Sequence, residues 1–253
     1  MSGPRSHDRD DMSRSCLDLI DEYESTGVMI SWGCETLDGL MSYGGLISGH
    51  IYLLIGQYMT PISQVLWSSA LYAANTYHVC YLHSQSTLAV QDYLIHLSDH
   101  WSDQVLNRIK CYFCVTILSV MDTLTSILHS LCTQDDPFLN KVKLIIIDDV
   151  SVLLSSLDKR TSANLKSAFL TTIRELCKQH NLVVLLSYRT SAFNNINENN
   201  NRSLAISHFA DEEIFLTTNT TTFRNSFSAL KVFPVSSSGI ELKITDQGLI
   251  TTA

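Results

Sequence analysis

Short apolar runs alternate along the chain with longer segments in which apolar residues recur every three or four positions. The runs Ile51–Ile55, Val142–Ile147 and Leu182–Leu186 are almost wholly apolar, which is typical of parallel strands that are buried on both faces. Between them, Ser63–Tyr77 and Ile117–Leu131 carry apolar residues at helical spacing. This alternation predicts an α/β fold with a doubly wound, mostly parallel sheet.

Weaker patterns predict further elements. The expected strands are His78–Leu82, Ile109–Val115, Ile214–Thr217, Ser228–Phe233 and Ile240–Thr245, and the expected helices are Leu88–Ser98 and Thr161–His180. Only turns separate the last three strands, so antiparallel pairing is predicted at the C-terminal end of the sheet. Residues 1–15 are polar and charged, which predicts disorder. Residues 1–25 are together predicted to be a flexible N-terminal segment or linker, and residues 26–253 a single core domain.

Composition and charge restrict the possible functions. The 253 residues suffice for one domain with a sizeable core, and no apolar run approaches the roughly 20 residues that cross a bilayer. The net charge of −8 argues against holding duplex DNA by overall electrostatic attraction, so any contact with nucleic acid must be local or made by a partner. Seven scattered cysteines indicate a reducing compartment, and Cys111–Cys114 has no second pair with which to form a zinc site.

The turn that follows Ile51–Ile55 has the length of a phosphate-binding loop, whose pattern is G-x-x-x-x-G-K-[ST]. Gly56 and Ser63 keep the two ends of this pattern, whereas Pro61 replaces the second glycine and Ile62 replaces the lysine. Proline lacks a backbone N–H and isoleucine lacks a charge, so one phosphate donor and the cation are lost. Without its context, the same segment also describes an ordinary turn between a strand and a helix.

The residues that precede this turn supply a context. The segments ISWGCETLDGL (30–40) and YGGLISGHI (43–51) resemble, in order and spacing, the segment before the phosphate loop of RecA/RadA-type recombinases. The matching positions are Ile30, Ser31, Gly33, Leu37, Asp38, Leu40, Gly45, Leu46, Gly49 and Gly56. The resemblance covers about residues 30–245 and implies the RecA-like P-loop ATPase core.

The resemblance also implies roles at three other strand ends. Asp148 stands at the Walker B position, where the family's aspartate organises Mg²⁺ through water. Gln85 replaces the glutamate that activates the attacking water, and a glutamine cannot accept a proton at neutral pH. Tyr188 and Arg189 replace the residues that sense the γ-phosphate. These departures imply a pseudo-ATPase without catalytic residues, metal or resident cofactor, where ATP and Mg²⁺ enter only if a partner supplies them at an interface.

Within the family, the chain most resembles the D-type paralogue of the eukaryotic strand-exchange recombinase. The short length, the strand that begins Lys141-Val-Lys143 and the helix that carries Arg174-Glu-Leu176 support this subtype, with Shu-complex-type paralogues as an alternative. Such paralogues form heteromeric complexes that load or remodel recombinase filaments on single-stranded DNA. The resemblance therefore implies a nuclear protein of homologous recombination repair. Its partners would be another recombinase paralogue, the strand-exchange recombinase or both, and not a membrane.

The resemblance further implies two DNA-contact loops and a partner-binding segment. The first loop, 155–164, contains Lys159 and Arg160, and the second, 190–203, contains Asn194, Asn195 and Arg202. A solvated turn and a mobile asparagine-rich loop are the structural alternatives for these two segments. The partner-binding segment is Cys16–Tyr23, with apolar residues Leu17, Leu19, Ile20 and Tyr23. This segment is equally consistent with packing onto its own core.

Two other functions are compatible with the same residues. The first is a weak DNA-dependent ATPase with an atypical phosphate loop, in which Asp148 and Ser63 hold Mg²⁺. The second is an ATP-independent scaffold on a RecA-like fold that acts outside recombination. ATP turnover by the purified chain would favour the first, and isolation without any recombinase-family subunit would favour the second.

Overall fold

A nine-stranded sheet with helices on both faces forms the centre of the fold in the described part of the chain. A computed structural model describes residues 27–57, 60–84, 101–155, 159–190, 209–218, 226–233, 239–245 and 248–251. The strands are β1 (Met29–Ile30), β2 (Leu46–Ile47), β3 (Ile51–Gln57), β4 (His78–His83), β5 (Ile109–Phe113), β6 (Val142–Asp148), β7 (Val183–Thr190), β8 (Glu212–Thr218), β9 (Ser226–Phe233), β10 (Gly239–Thr245) and β11 (Gly248–Thr251). The helices are α1 (Glu35–Leu40), α2 (Ile62–Ala74), α3 (Asp103–Leu106), α4 (Ile117–Thr133), α5 (Val150–Ser155) and α6 (Lys159–Gln179), with a 3₁₀ turn at Leu139–Lys141.

The sheet is parallel through most of its width. Among the described residues its strand order is β11-β10-β9-β8-β3-β7-β6-β4-β5, and β1 pairs separately with β2. Neighbouring strands from β8 to β5 run parallel, whereas β9, β10 and β11 continue the sheet from β8 in antiparallel fashion. The predicted α/β class and the antiparallel C-terminal end are confirmed. The first of the three expected antiparallel strands, however, joins the parallel part, because β8 pairs with β3.

Two hydrophobic layers explain why the central strands are apolar on both faces. Alternate residues of β3, such as Tyr52 and Leu54, pack with α1 and α2, whereas Leu53 and Ile55 pack with α4 and α6. The interior of β6 is divided between the layers in the same way. Burial on both faces therefore removes the polar alternation that a solvent-facing strand would show.

Several elements differ from the expectation. Helix α6 begins at Lys159, inside the loop predicted at 155–164, and the short helix α5 immediately precedes that region. Helices α1 and α3 and strand β11 were not predicted, since each has six residues or fewer and shows too little periodicity to detect. The predicted helix Leu88–Ser98 and the N-terminal segment 1–25 lie outside the described residues. No helix in the described part of the chain is long and apolar enough to span a bilayer.

Candidate functional site

The carboxyl ends of four adjacent parallel strands bring the predicted site residues together. In the sheet register Gly56 on β3 pairs with Arg189 on β7, and Asp148 at the end of β6 pairs with His83 on β4. Helix α2 begins at Ile62, directly after the turn that follows β3. The segment from Gly56 to Ser63 therefore occupies the bend between a central strand and its helix, as the phosphate-loop frame requires.

The described backbone amides of this turn are engaged within the turn. The N–H of Thr60 donates to the Gln57 carbonyl oxygen at 3.0 Å, and the N–H of Ile62 donates to the Thr60 carbonyl oxygen at 2.9 Å. The Thr60 hydroxyl donates to the same Gln57 oxygen at 2.6 Å. Pro61, between them, has no N–H to offer. A phosphate-binding loop instead points several amides at its ligand, and the amides of Thr60 and Ile62, which the structure describes, are not arranged in that way.

The side chain of Ile62 fills the space beside Gly56. Ile62 is fully buried, and its Cδ1 and Cγ1 atoms lie 2.5 and 2.8 Å from the position that a β-carbon on Gly56 would occupy. The hydroxyl of Thr60 lies closer still to that position. In a functional loop, a glycine at this position lets the backbone approach a phosphate closely. Here the space beside Gly56 is filled by the side chains of Ile62 and Thr60.

Asp148 is satisfied by the protein itself. It is 2% exposed, its Oδ1 accepts a hydrogen bond from the Ser187 hydroxyl at 2.8 Å, and its Oδ2 accepts one from the Tyr81 hydroxyl at 3.1 Å. The Tyr81 ring stacks on Trp67 of α2, with centroids 4.2 Å apart. Both carboxylate oxygens are thus directed toward side chains of β7 and β4, whereas the sequence predicted that this group organises Mg²⁺ through water.

The next residue, Asp149, forms an ion pair with Arg189. The Arg189 Nε lies 3.3 Å from Asp149 Oδ2, and the two side chains are 24% and 3% exposed. This contact is ionic without hydrogen-bond alignment, since Oδ2 has no hydrogen-bond partner among the described residues. Asp149 Oδ1 accepts hydrogen bonds from the Ser151 amide at 2.8 Å and the Ser151 hydroxyl at 2.6 Å.

Burial raises the pKa of the Asp149 carboxyl, and the neighbouring Asp148 raises it further. The hydrogen bonds from Ser151 and the positive charge of Arg189 lower the same pKa. Among the causes of the shift burial is the largest, so the ionised carboxylate is held against a desolvation cost. The hydrogen bonds from Ser151 and then the charge of Arg189 favour the ionised form against this cost.

The Arg189 guanidinium also reaches the turn. Its Nη1 donates to the Thr60 carbonyl oxygen at 3.3 Å, and its Nη2 donates to the Ser63 hydroxyl at 3.2 Å. Ser63 stands at the position whose hydroxyl binds Mg²⁺ in a functional phosphate loop. With Ile62 beside Gly56 and a guanidinium on Ser63, the described residues do not fit Mg-ATP bound in the manner of a P-loop ATPase.

The remaining predicted site residues are only partly described. Lys159 and Arg160 lie in the first turn of α6, which corrects their expected place in a loop, and their side chains lie outside the description. Residues that lie outside the described ranges are Gln85, Asn194, Asn195, Arg202, Leu17, Leu19, Ile20 and Tyr23. Within the described ranges, no group of three or more histidine, cysteine, aspartate or glutamate side chains could hold a metal ion.

Replacing Gly56 with alanine tests the packing of Ile62 at the turn. The new β-carbon would overlap the Thr60 hydroxyl and Ile62, so Gly56→Ala is expected to lower the free energy of unfolding by about 1–3 kcal/mol. In a chain that already carries Ile62→Ala, Gly56→Ala should lower the free energy of unfolding by less than it does in the unaltered chain. Urea unfolding followed by circular dichroism measures all variants.

The matched control is Gly39→Ala in α1. A β-carbon on Gly39 would have no atom within 4 Å, so this change should leave stability unchanged or raise it slightly. Equal effects of Gly56→Ala and Gly39→Ala would show that the space beside Gly56 is open.

The comparisons with known proteins bear on the fold. No family model matches the sequence, and no curated protein matches it. Among solved structures, the crystal structure of the RadB recombinase is similar, with a TM-score of 0.69 over 89% of this chain and 100% of that chain. The two sequences are 14% identical, so the likeness concerns the fold. The RecA-like core that the sequence predicts is confirmed at this level.

Proposed function

We propose that this chain is a non-catalytic recombinase paralogue. It acts as a subunit of a heteromeric complex that assists recombinase filament assembly or remodelling on single-stranded DNA during homologous recombination repair. The observation that carries the proposal is the occupation of the phosphate-loop position by the chain's own side chains, Ile62 beside Gly56 and Arg189 on Ser63. The RecA-like fold supports the link to recombination, since the RadB recombinase structure has the same architecture.

Several features support a role in partner binding over a role in chemistry. The apolar core is continuous on both faces of the sheet, whereas Ile62 stands at the lysine position of the phosphate loop and Pro61, which has no backbone N–H, at that of its second glycine. The net charge of −8 favours contact with nucleic acid through a partner over contact through the chain's own surface. A further recombinase paralogue, the strand-exchange recombinase or both are the proposed partners, and single-stranded DNA is a secondary one.

The subtype, the location and the cofactor state belong to the same proposal. The D-type paralogue is the proposed relative, on the sequence features around Lys141–Lys143 and Arg174–Leu176. A nuclear location follows from that assignment. The chain holds no nucleotide of its own, and ATP with Mg²⁺ contributes only where a partner subunit presents it at the shared interface.

ATP turnover tests the non-catalytic assignment. We expect the purified chain, with and without single-stranded DNA, to release phosphate at the rate of the buffer, and Asp148→Ala to give the same rate. Release above background that Asp148→Ala abolishes would establish the weak ATPase instead. The Ile62→Lys variant restores the missing cation but not the missing donor at Pro61, so it should bind a fluorescent ATP analogue no more tightly than the unaltered chain.

Association with recombinases tests the other part of the proposal. The tagged chain, purified from its native cells and analysed by mass spectrometry, should bring with it at least one recombinase-family subunit. The same subunit, co-expressed with this chain alone, should co-elute with it in size-exclusion chromatography. Purification that repeatedly yields no recombinase-family subunit would favour the scaffold function outside recombination.

A further inference from the structure

A single positive charge lies among three oxygen atoms at the carboxyl edge of the sheet. The Arg189 guanidinium is 3.3 Å from the Thr60 carbonyl oxygen, 3.2 Å from the Ser63 hydroxyl and 3.3 Å from Asp149 Oδ2. These oxygens belong to three different elements: the turn after β3, the first turn of α2 and the junction of β6 with α5. The side chain that reaches them comes from a fourth element, β7.

Guanidinium is suited to this position because of its shape. It has five N–H donors in one plane and stays charged at every pH that the protein meets, so it can contact several acceptors at once. The family's lysine position carries Ile62, which supplies no charge. Arg189 is therefore the cation that the described residues place nearest to the remnant of the phosphate loop.

We propose that Arg189 is the resident cation of this site, and that it holds the turn after β3 against the end of β6 without a nucleotide or a metal ion. The proposal rests on the non-catalytic function proposed above, because a site that cycles with ATP would have to release this contact in every turnover. The turn and the start of α2 then keep one arrangement whether or not ATP is present. A partner subunit accordingly meets the same surface in both conditions.

The contacts of the adjacent carboxylates, Asp148 and Asp149, explain why Arg189 pairs with Asp149. Asp148 has both oxygens engaged by Ser187 and Tyr81, so it does not compete for the guanidinium. Asp149 is almost fully buried, and its Oδ2 faces Arg189 without another donor among the described residues. The Arg189 Nε is the cationic nitrogen that lies against this buried oxygen, at 3.3 Å, while the other two guanidinium nitrogens donate to Thr60 and Ser63.

Hydrogen exchange at the turn tests the proposal in the full-length chain. Arg189→Ala removes charged hydrogen bonds to the turn, so exchange of the peptide that contains Thr60 and Ile62 should become at least about tenfold faster. Free guanidinium ion at about 20 mM should then restore slow exchange in part, since the variant leaves a partly exposed space of matching shape. At that concentration its denaturing action is small, because unfolding free energy falls by only a few kcal/mol per molar.

The matched control is Arg108→Ala. Arg108 also donates from its guanidinium to carbonyl oxygens, those of Ala74 at 3.1 Å and Asn75 at 2.5 Å, but at the opposite end of α2. Its replacement should leave exchange at the β3–α2 turn unchanged, with or without guanidinium. A turn that exchanges equally fast in both alanine variants, or that guanidinium protects equally in both, would overturn the proposal.

A second pair of variants keeps the test informative if Arg189→Ala folds poorly. Asp149→Asn retains an acceptor for Ser151 and removes the buried charge, so Arg189→Ala should destabilise the Asp149→Asn chain less than the unaltered chain. Equal destabilisation in both backgrounds would overturn the ion pair as the basis of the contact.

The two proposals fail separately. Phosphate release above background refutes the non-catalytic function whatever Arg189 does. If the chain releases no phosphate and Arg189→Ala leaves exchange at the turn unchanged, only the role of Arg189 is refuted. Protection of the turn by Mg-ATP in the unaltered chain would also refute that role, because it would show that a nucleotide replaces the guanidinium.

Discussion

Replacing Lys231 with methionine is expected to lower the free energy of unfolding by about 3–5 kcal/mol, because the change leaves a buried carboxylate without its counter-ion. The Lys231 Nζ lies 2.7 Å from Glu212 Oε2, and the two side chains are 5% and 3% exposed. The same Nζ donates to the Ser42 hydroxyl at 2.6 Å. Glu212 Oε2 also accepts a hydrogen bond from the Ser42 amide at 3.3 Å, whereas Oε1 has no hydrogen-bond partner among the described residues. A neutral amide donor does not replace the positive charge of Lys231.

The control for this prediction is the double variant Lys231→Met with Glu212→Gln. A neutral amide next to methionine avoids the uncompensated charge, so the double variant should recover at least half of the stability that Lys231→Met loses. Urea unfolding followed by circular dichroism measures the difference. The single variant should also melt at a temperature lower by about 10 °C. A loss below about 1 kcal/mol would mean that solvent reaches Glu212, since exposed ion pairs contribute only that much.

This ion pair connects three parts of the fold. Glu212 begins β8, Lys231 lies on β9, and Ser42 follows the end of α1. Because β8 also pairs with β3, the Lys231–Glu212 ion pair links the antiparallel extension of the sheet to the strand that precedes the turn at residues 56–63. Breaking it should therefore loosen β9 to β11 before it disturbs the parallel strands.

The sequence predicts the central part of this fold well because burial leaves a clear signature there. The run Ile51–Ile55 lies within β3 and the run Leu182–Leu186 overlaps β7, since strands covered on both faces carry apolar residues without interruption. Helix α4 begins where the pattern predicts, at Ile117. Its start is stabilised by reciprocal hydrogen bonds between Thr116 and Ser119, in which the threonine hydroxyl accepts from the Ser119 amide at 3.2 Å.

Other elements could not be predicted because their signals are short or non-local. Helix α5 contains six residues, too few for a helical period to emerge from the sequence. The start of α6 was placed two residues too late, within the usual uncertainty of helix boundaries. The parallel pairing of β8 with β3 joins positions about 160 residues apart, as Leu54 with Ile214 shows, and no local pattern encodes it.

The residues of the candidate site also fall into two groups, those that a local pattern in the sequence reveals and those that only the fold brings together. The frame from Gly56 to Ser63 was recognisable because its spacing is local, and Asp148 because it ends an apolar strand. The contact of Arg189 with Ser63 spans 126 positions and exists only because β7 lies beside β3. Sequence reasoning identified Arg189 as a departure from the γ-phosphate sensor and did not consider Asp149. The sequence signal for the contact between Arg189 and Asp149 is a positive charge at the end of one apolar strand and two adjacent acidic residues at the end of another.

Replacing Trp67 with alanine is expected to lower the free energy of unfolding by about 3–5 kcal/mol, the range for large aromatic residues removed from a core. Trp67 is 3% exposed on α2, and its ring is nearly parallel to that of Tyr81, with an interplanar angle of 11°. Tyr81 is fully buried and its hydroxyl donates to Asp148, so the cavity would open against the ring that supports this hydrogen bond. Urea unfolding followed by circular dichroism measures the loss.

Two variants separate the stacking from the general loss of apolar surface. Trp67→Phe keeps an aromatic ring against Tyr81 and should cost clearly less than alanine, since part of the volume and the stacking remain. Trp101 is only partly buried and meets Tyr72 edge to face, with ring centroids 5.5 Å apart. Trp101→Ala should therefore also lower the free energy of unfolding by less than Trp67→Ala. If Trp67→Ala and Trp101→Ala were equally mild, the aromatic pair beneath Asp148 would not support the carboxyl edge of the sheet.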